Sequence, residues 1–221
     1  MSLIAQKLIS ASGATEATDD DFNLVTGLYH FDGANGAQNN TFLDDSYETH
    51  TVTATTYSTP VVQGTFSPFS AEEGKWSTEF PIGVATNKIQ WGGSASFAFG
   101  TGAFTVEGWA FVTADNYDYS RLFAIGPYYN NANSVGLTIN HTDNSDKTSF
   151  YAYNAVNGAI CLSTSATPRG EWFHWAVTRD STGDFRLFTN GNLDSTNTSY
   201  RSVDISPGGN QPFVIGSTTD R

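Results

Sequence analysis

From residue 23 onward the sequence is a series of short β-type runs alternating with turn residues such as Gly, Pro, Asn, Asp and Ser. In such a run a two-residue period sends successive side chains to opposite faces of a strand. The runs fall at 23–31, 50–56, 61–66, 75–80, 87–92, 104–113, 121–126, 135–140, 149–155, 159–163, 172–179, 184–190 and 212–216. Asn157-Gly158 and Asn190-Gly191 accept positive φ and predict hairpin turns, and 180–184 predicts another tight turn. Short strands at this turn spacing predict an all-β, two-sheet antiparallel sandwich. In the strongest run, 104–113, Phe104, Val106, Ala110 and Val112 share one face, and Thr105, Glu107, Trp109 and Phe111 the other. Apolar residues on both faces predict a central strand. No helical pattern and no internal repeat is visible.

Residues 1–22 break the pattern. Leu3, Ile4, Leu8 and Ile9 form a short apolar stretch, followed by an acidic segment ending in three aspartates. The segment reads as an arm ordered by contact with a partner, or as a frayed terminus. The expected organisation is therefore an arm over 1–22 and one β domain over 23–221.

Composition narrows the functions open to such a domain. Ten Lys and Arg stand against 22 Asp and Glu, a net charge of −12. Phosphate binding needs a basic footprint, so nucleic acid and anionic membrane surfaces are not expected partners. Aromatic residues make up 14% of the chain, enough to build a core from few large side chains. Cys161 is the single cysteine; it lies in an apolar run, reads as a core residue, and leaves no intrachain disulfide. No apolar run approaches the ~20 residues of a membrane span, and Gln6, Lys7 and Ser10 interrupt any signal-peptide core. The expectation is a soluble chain without a visible secretory address.

The residues offer little for catalysis. Glycoside hydrolysis needs two carboxylates about 5–5.5 Å apart for retention. On 104–113 Glu107 is alone, with Thr105 and Trp109 as same-face neighbours, so it is expected to bond backbone or a hydroxyl. The histidines are His30, His50, His141 and His174; none sits in a nucleophile elbow or a zinc-binding helix motif. His174, between Trp172 and Ala176 on one face, reads as a satisfied, partly buried hydrogen-bonder. The expected class is non-enzymatic.

The strings FGTGAFTVEGWAFV (99–112), EWFHWAVTRDSTGDFRLFTNGN (171–192) and PFVIGS (212–217) resemble the concanavalin A-like, laminin G-like jelly roll over roughly residues 75–217. Trp172, His174, Ala176, Arg179-Asp180 and Asn190-Gly191 carry that resemblance. LISASGATEATDDDFNLV, HFDGANGAQNNTFLDDS and QGTFSPFS with EGKWS are similar to laminin G-like structural proteins of marine tailed bacteriophages of the cyanophage type. In one respect the chain departs from the family: a final strand follows the PFVIGS phrase there, and this sequence stops at Arg221. Either the chain is part of a longer protein, or the arm or a neighbouring subunit fills that place; the free edge is expected to be covered.

The resemblance implies a virion structural protein: a tail fibre, capsid decoration or tail appendage, assembled in the host cytoplasm and working in the extracellular particle. It implies docking to other virion proteins through residues 1–22 and a homo-oligomer, with a trimer as the arrangement a fibre suggests. It also implies two sites. Calcium, the one cofactor suggested, would be held by Asp32, Asn35 and Asp44; the competing reading is an ordinary Asp/Asn turn. A host-surface glycan would meet Tyr117, Tyr119, Tyr128, Tyr129, Asn130 and Asn131, on connections expected at one end of the sandwich. The competing reading there is a protein interface, where tyrosine is also enriched. The alternative for the whole chain is a secreted bacterial carbohydrate-binding module.

Overall fold

The computed structural model describes residues 21–31, 42–55, 62–64, 66–69, 77–80, 88–113, 120–126, 134–141, 146–153, 155–156 and 158–216. The described strands are β1 (Val52–Thr55), β2 (Val62–Gly64), β3 (Ser77–Glu79), β4 (Lys88–Trp91), β5 (Phe104–Phe111), β6 (Ser120–Ile125), β7 (Val135–His141), β8 (Lys147–Ala152), β9 (Ala159–Ala166), β10 (Trp172–Arg179), β11 (Phe185–Thr189), β12 (Asn192–Asn197) and β13 (Phe213–Gly216). The described helical structure is two three-residue 3-10 turns, Phe22–Leu24 and Ala95–Phe97. Ser94 caps the second by accepting the Ser96 N–H.

The strands form a seven-stranded sheet in the order β1-β4-β13-β6-β7-β8-β9, a four-stranded sheet in the order β12-β11-β10-β5, and the small β2-β3 pair. Every described pairing is antiparallel. The two larger sheets make an all-β sandwich of the jelly-roll kind the sequence predicts. Its core is aromatic. Phe123 on β6 stacks on Trp175 of β10 and on Phe213 of β13, each at 5.9 Å between ring centroids. Trp91 on β4 and Trp175 are both fully buried. Such rings bury about 150–250 Å² each, which is how a chain with few aliphatic residues fills the space between two sheets.

Two hairpin features follow from backbone chemistry. Asn190 (φ 50) and Gly191 (φ 75) both take the left-handed conformation between β11 and β12, the requirement of a tight primed turn. Gly183 (φ 90) closes the 180–184 turn, where a Cβ would lie 2.5 Å from the Arg201 carbonyl oxygen. The Asn157 half of the other expected hairpin turn lies outside the described residues; β8 and β9 pair across it.

Three expectations need correcting. Residues 23–31 form no sheet strand: after the first 3-10 turn, Leu28 pairs with the 44–45 segment instead, its N–H donating to Asp44 and its carbonyl accepting from Asp45. This segment still belongs to the core, because Tyr29 lies against Trp91 at 4.0 Å. The strand over 104–111 is an edge strand of the described four-stranded sheet, with β10 as its one described neighbour. Phe66 and Phe69 pack against part of its second apolar face, at Phe111 and Trp109. Finally, β12 continues past the Asn190-Gly191 turn through a run, NLDSTN, too polar to be read as a strand.

Candidate functional site

The residues that line up on the outer face of the four-stranded sheet are set by the β5–β10 register. Trp172 faces Phe111, His174 faces Trp109, Ala176 faces Glu107, and Thr178 faces Thr105. The opposite parity, Phe173, Trp175, Val177 and Arg179, is buried between the sheets. The outer face is therefore aromatic at one end and polar at the other. Phe66, 62% exposed, crosses its aromatic end, 5.0 Å from Phe111 and 5.3 Å from Trp172. Phe69 packs edge-on against Trp109 at 5.6 Å.

At the junction of the two ends, His174 Nε2 lies 3.4 Å from Glu107 Oε2, and the imidazole meets Trp109 edge-on at 5.4 Å. The backbone of His174 is fixed by the turn, its N–H donating to Asn190 Oδ1. Both side chains remain partly open to solvent. The face continues onto β11 through Phe188, which pairs with Ala176, and onto β12 through Leu193, which is 56% exposed. The residues beside and across from Glu107 are Thr105, Trp109 and Ala176, so no second carboxylate shares its place in the register. A ring-lined platform with one carboxylate and one imidazole can stack against a flat partner and exchange hydrogen bonds with it. Among the described residues of β5 and β10, no second carboxylate lies beside Glu107 at the spacing glycoside hydrolysis uses.

The residues singled out from the sequence fare unevenly. Tyr117, Tyr119, Tyr128, Tyr129, Asn130 and Asn131 lie outside the described residues, as do Asp32 and Asn35. The two tyrosine-bearing connections join opposite ends of β6, about 17 Å apart at strand rise, so their anchor points do not share one end of the sandwich. Asp44 is described and buried. Its Oδ1 accepts the N–H groups of Leu28 and Ser46, and its Oδ2 accepts the His50 N–H and lies 2.8 Å from His50 Nδ1. Asp44 thus ties three backbone segments together, and both of its oxygens face donors of its own neighbourhood. Among the described residues no three His, Cys, Asp or Glu side chains gather as a metal site.

Two further elements carry charge chemistry of a structural kind. The buried Arg179 guanidinium donates to the carbonyls of Gly100, Val203 and Arg201 and sits 4.8 Å over the Phe185 ring. Burial pulls its pKa down, and Asp204 opposes this. At the 180–184 turn, Asp180 accepts from Thr182 and from Arg186, and Asp184 accepts from Arg201. Those bonds hold both carboxyls below the usual range, Asp180 chiefly through Thr182 and then Arg186, and Asp184 chiefly through Arg201.

Sequence reasoning missed the Glu107–His174 contact and the aromatic band. Parity held the signal: the even positions of 172–178 and the odd positions of 105–111 are the outward-facing set, but only their register puts them side by side.

The fold and this face define an all-β sandwich of the lectin type. Residues 83–221 match the laminin G family described as the concanavalin A-like lectin/glucanases superfamily, and the chain belongs to that family. No curated protein matches the sequence. In structure the chain is similar to the binding domain of Paraclostridial Mosquitocidal Protein 1 (TM-score 0.53, 15% identity, 84% of this chain and 44% of that one). It is also similar to the Botulinum Neurotoxin serotype G binding domain (TM-score 0.47, 13% identity, 81% and 46%). A third similar structure is the enzymatically active domain of tailspike protein 2 of Bacteriophage CBA120 (TM-score 0.40, 14% identity, 66% and 24%). The chain spans less than half the length of each.

Proposed function

We propose that this protein is a non-enzymatic adhesion module of a bacteriophage particle, part of a fibre, decoration or tail appendage. Its sandwich presents a binding face outward, and residues 1–22 dock it to other particle proteins. The observation that carries the reading is the outer face of β5 and β10: aromatic rings beside one carboxylate–imidazole pair, with no second acid in register with Glu107 among the described residues. Family membership in a lectin/glucanase superfamily supports a binding role, and the structurally similar mosquitocidal protein segment is itself a binding domain. Fold alone hosts many functions, so the assignment rests on the face. The ligand is a host-surface glycan, stacked on Trp109 and the Phe66–Trp172 end and hydrogen-bonded by Glu107 and His174.

The test is binding of the full chain to host cells and to glycans purified from them. Trp109→Ala is expected to lower affinity about tenfold or more, the loss expected for a central aromatic anchor, with the fold intact by circular dichroism. Unchanged binding by a folded Trp109→Ala protein would overturn the assignment of the face.

A further inference from the structure

The register carries the outer face across all four strands. Glu107 on β5 lies opposite Ala176 on β10, Ala176 opposite Phe188 on β11, and Phe188 opposite Leu193 on β12. Directly paired residues share one face of a sheet, so these four side chains form a row perpendicular to the strands. At strand spacings of about 4.8 Å the row is about 14 Å long, more than one pyranose ring spans. Its ends differ in chemistry. Glu107 sets a partly exposed carboxylate two residues from Trp109, whereas Leu193 is 56% exposed beside the Phe188 ring. Charge on this surface is one-sided. The four strands hold no lysine and two arginines, Arg179 and Arg186. Arg179 is buried, and Arg186, opposite Thr178, is held by Asp180 at 2.5 Å and Asp184 at 3.4 Å. Neither arginine neutralises Glu107, and the chain as a whole carries a net charge of −12.

We propose that the glycan bound by this face is a neutral oligosaccharide lying along the Glu107–Leu193 row, and that Glu107 is the residue that excludes acidic sugars. The inference deepens the glycan reading of this face and rests on it. A neutral sugar offers hydroxyl groups at the edge of its ring and C–H groups on the face. A hydroxyl donates to the Glu107 carboxylate, a charge-assisted bond. The C–H faces of the units that follow cover Phe188 and Leu193 and take their apolar area out of water. Ala176, between the two ends, presents only a methyl group and leaves the row unobstructed. A uronate or sulfate placed at Glu107 brings a second negative charge and no proton to donate. Like charges at contact distance on a protein surface repel strongly enough to lower affinity about tenfold or more, and salt screens that repulsion.

The experiment titrates the full chain with oligosaccharides released from the host surface, separated by anion exchange into neutral and acidic pools and graded by length. Titrations are run near pH 8, so that protonated imidazole does not offset the carboxylate. The neutral pool is expected to bind about tenfold or more tighter than the acidic pool, with affinity rising from single sugars to fragments long enough to span the row. Added salt should raise binding of the acidic pool and leave the neutral pool unchanged. Glu107→Gln should bring the neutral-to-acidic ratio toward one, and Leu193→Ser should remove the gain with length, each with the circular dichroism spectrum of the wild type. A preference for the acidic pool, or a ratio that Glu107→Gln leaves unaltered, overturns the proposal. A gain with length indifferent to Leu193→Ser also overturns it. Trp109→Ala separates the two levels. Binding that Trp109→Ala weakens but that ignores ligand charge refutes this inference alone. Binding of neither pool, or binding that Trp109→Ala leaves unchanged, refutes the glycan face and this inference with it.

Discussion

His174 on β10 places its Nε2 3.4 Å from Oε2 of Glu107 on β5, one pleat diagonally across the sheet. Trp109, directly opposite His174, touches the same imidazole. The three side chains make the polar-to-aromatic junction of the outer face. Glu107→Gln keeps the shape and removes the charge. It is expected to weaken glycan binding severalfold while leaving the melting temperature nearly unchanged, because both side chains are partly solvated and such pairs contribute about 0–1 kcal/mol. Calorimetric titration with host-surface oligosaccharide, beside a thermal melt, checks both halves of the expectation.

Asp44 predicts a different phenotype. Its carboxylate accepts from three backbone N–H groups and contacts His50 while buried. Removing it leaves those donors unsatisfied, at a cost of about 1–3 kcal/mol for each group that water does not reach. Asp44→Ala is therefore expected to destabilise the domain by about 2–4 kcal/mol in urea unfolding, with little effect on glycan binding under conditions where the variant stays folded, since Asp44 is not part of the outer face of β5 and β10. The same geometry bears on calcium. With both Asp44 oxygens facing N–H donors, the expected calorimetric trace for calcium is flat and the melting temperature indifferent to chelator. A calcium-dependent melting shift abolished by Asp32→Asn would instead place the ion on the Asp32, Asn35 and Asp44 set.

The domain should lose stability in acid. Asp180 and Asp184 are held below the ordinary carboxylate value of 3.8 by their hydrogen-bond partners, Thr182 and Arg186 for the first and Arg201 for the second. For a depressed carboxyl the stabilisation is fully present above the unfolded-state value and fades as pH falls through the folded-state value. The melting temperature is thus expected to be flat from neutral pH down to about 4 and to fall below it. Asp180→Asn should flatten that acid decline, as read by thermal melts across pH.

Cys161 is buried on β9, and burial pushes its thiol up to about 12. Near neutral pH almost none of it is the reactive thiolate. An aromatic disulfide reagent is expected to leave the folded protein unlabelled and to label one thiol per chain once denaturant unfolds it. Labelling of the native state at the denatured rate would contradict the burial.

The sandwich was largely legible because period-two alternation and turn chemistry are local signals. The run 172–179 became β10 with the same bounds, and Asn190-Gly191 formed the turn its φ tolerance implies. What escaped depends on partners distant in sequence. Residues 23–31 have a strand's apolar content, yet their backbone bonds run to Asp44 and Asp45, a choice made by a buried carboxylate. The apolar outer positions Trp109 and Phe111 predict burial on that face, but not that Phe66 and Phe69, some forty residues earlier in the chain, are the rings that pack there. The Glu107–His174 junction needs the register of two strands more than sixty residues apart, which neither strand encodes alone.

The most direct test of an adhesive face without a reacting centre is prolonged incubation of the intact protein with host-surface polysaccharide, followed by binding and product analysis on the same sample. Saturable binding that Trp109→Ala weakens is expected, with the polysaccharide recovered at its original length. Shortened chains or new reducing or unsaturated ends, produced by the wild-type protein and lost in Glu107→Gln, would contradict this expectation.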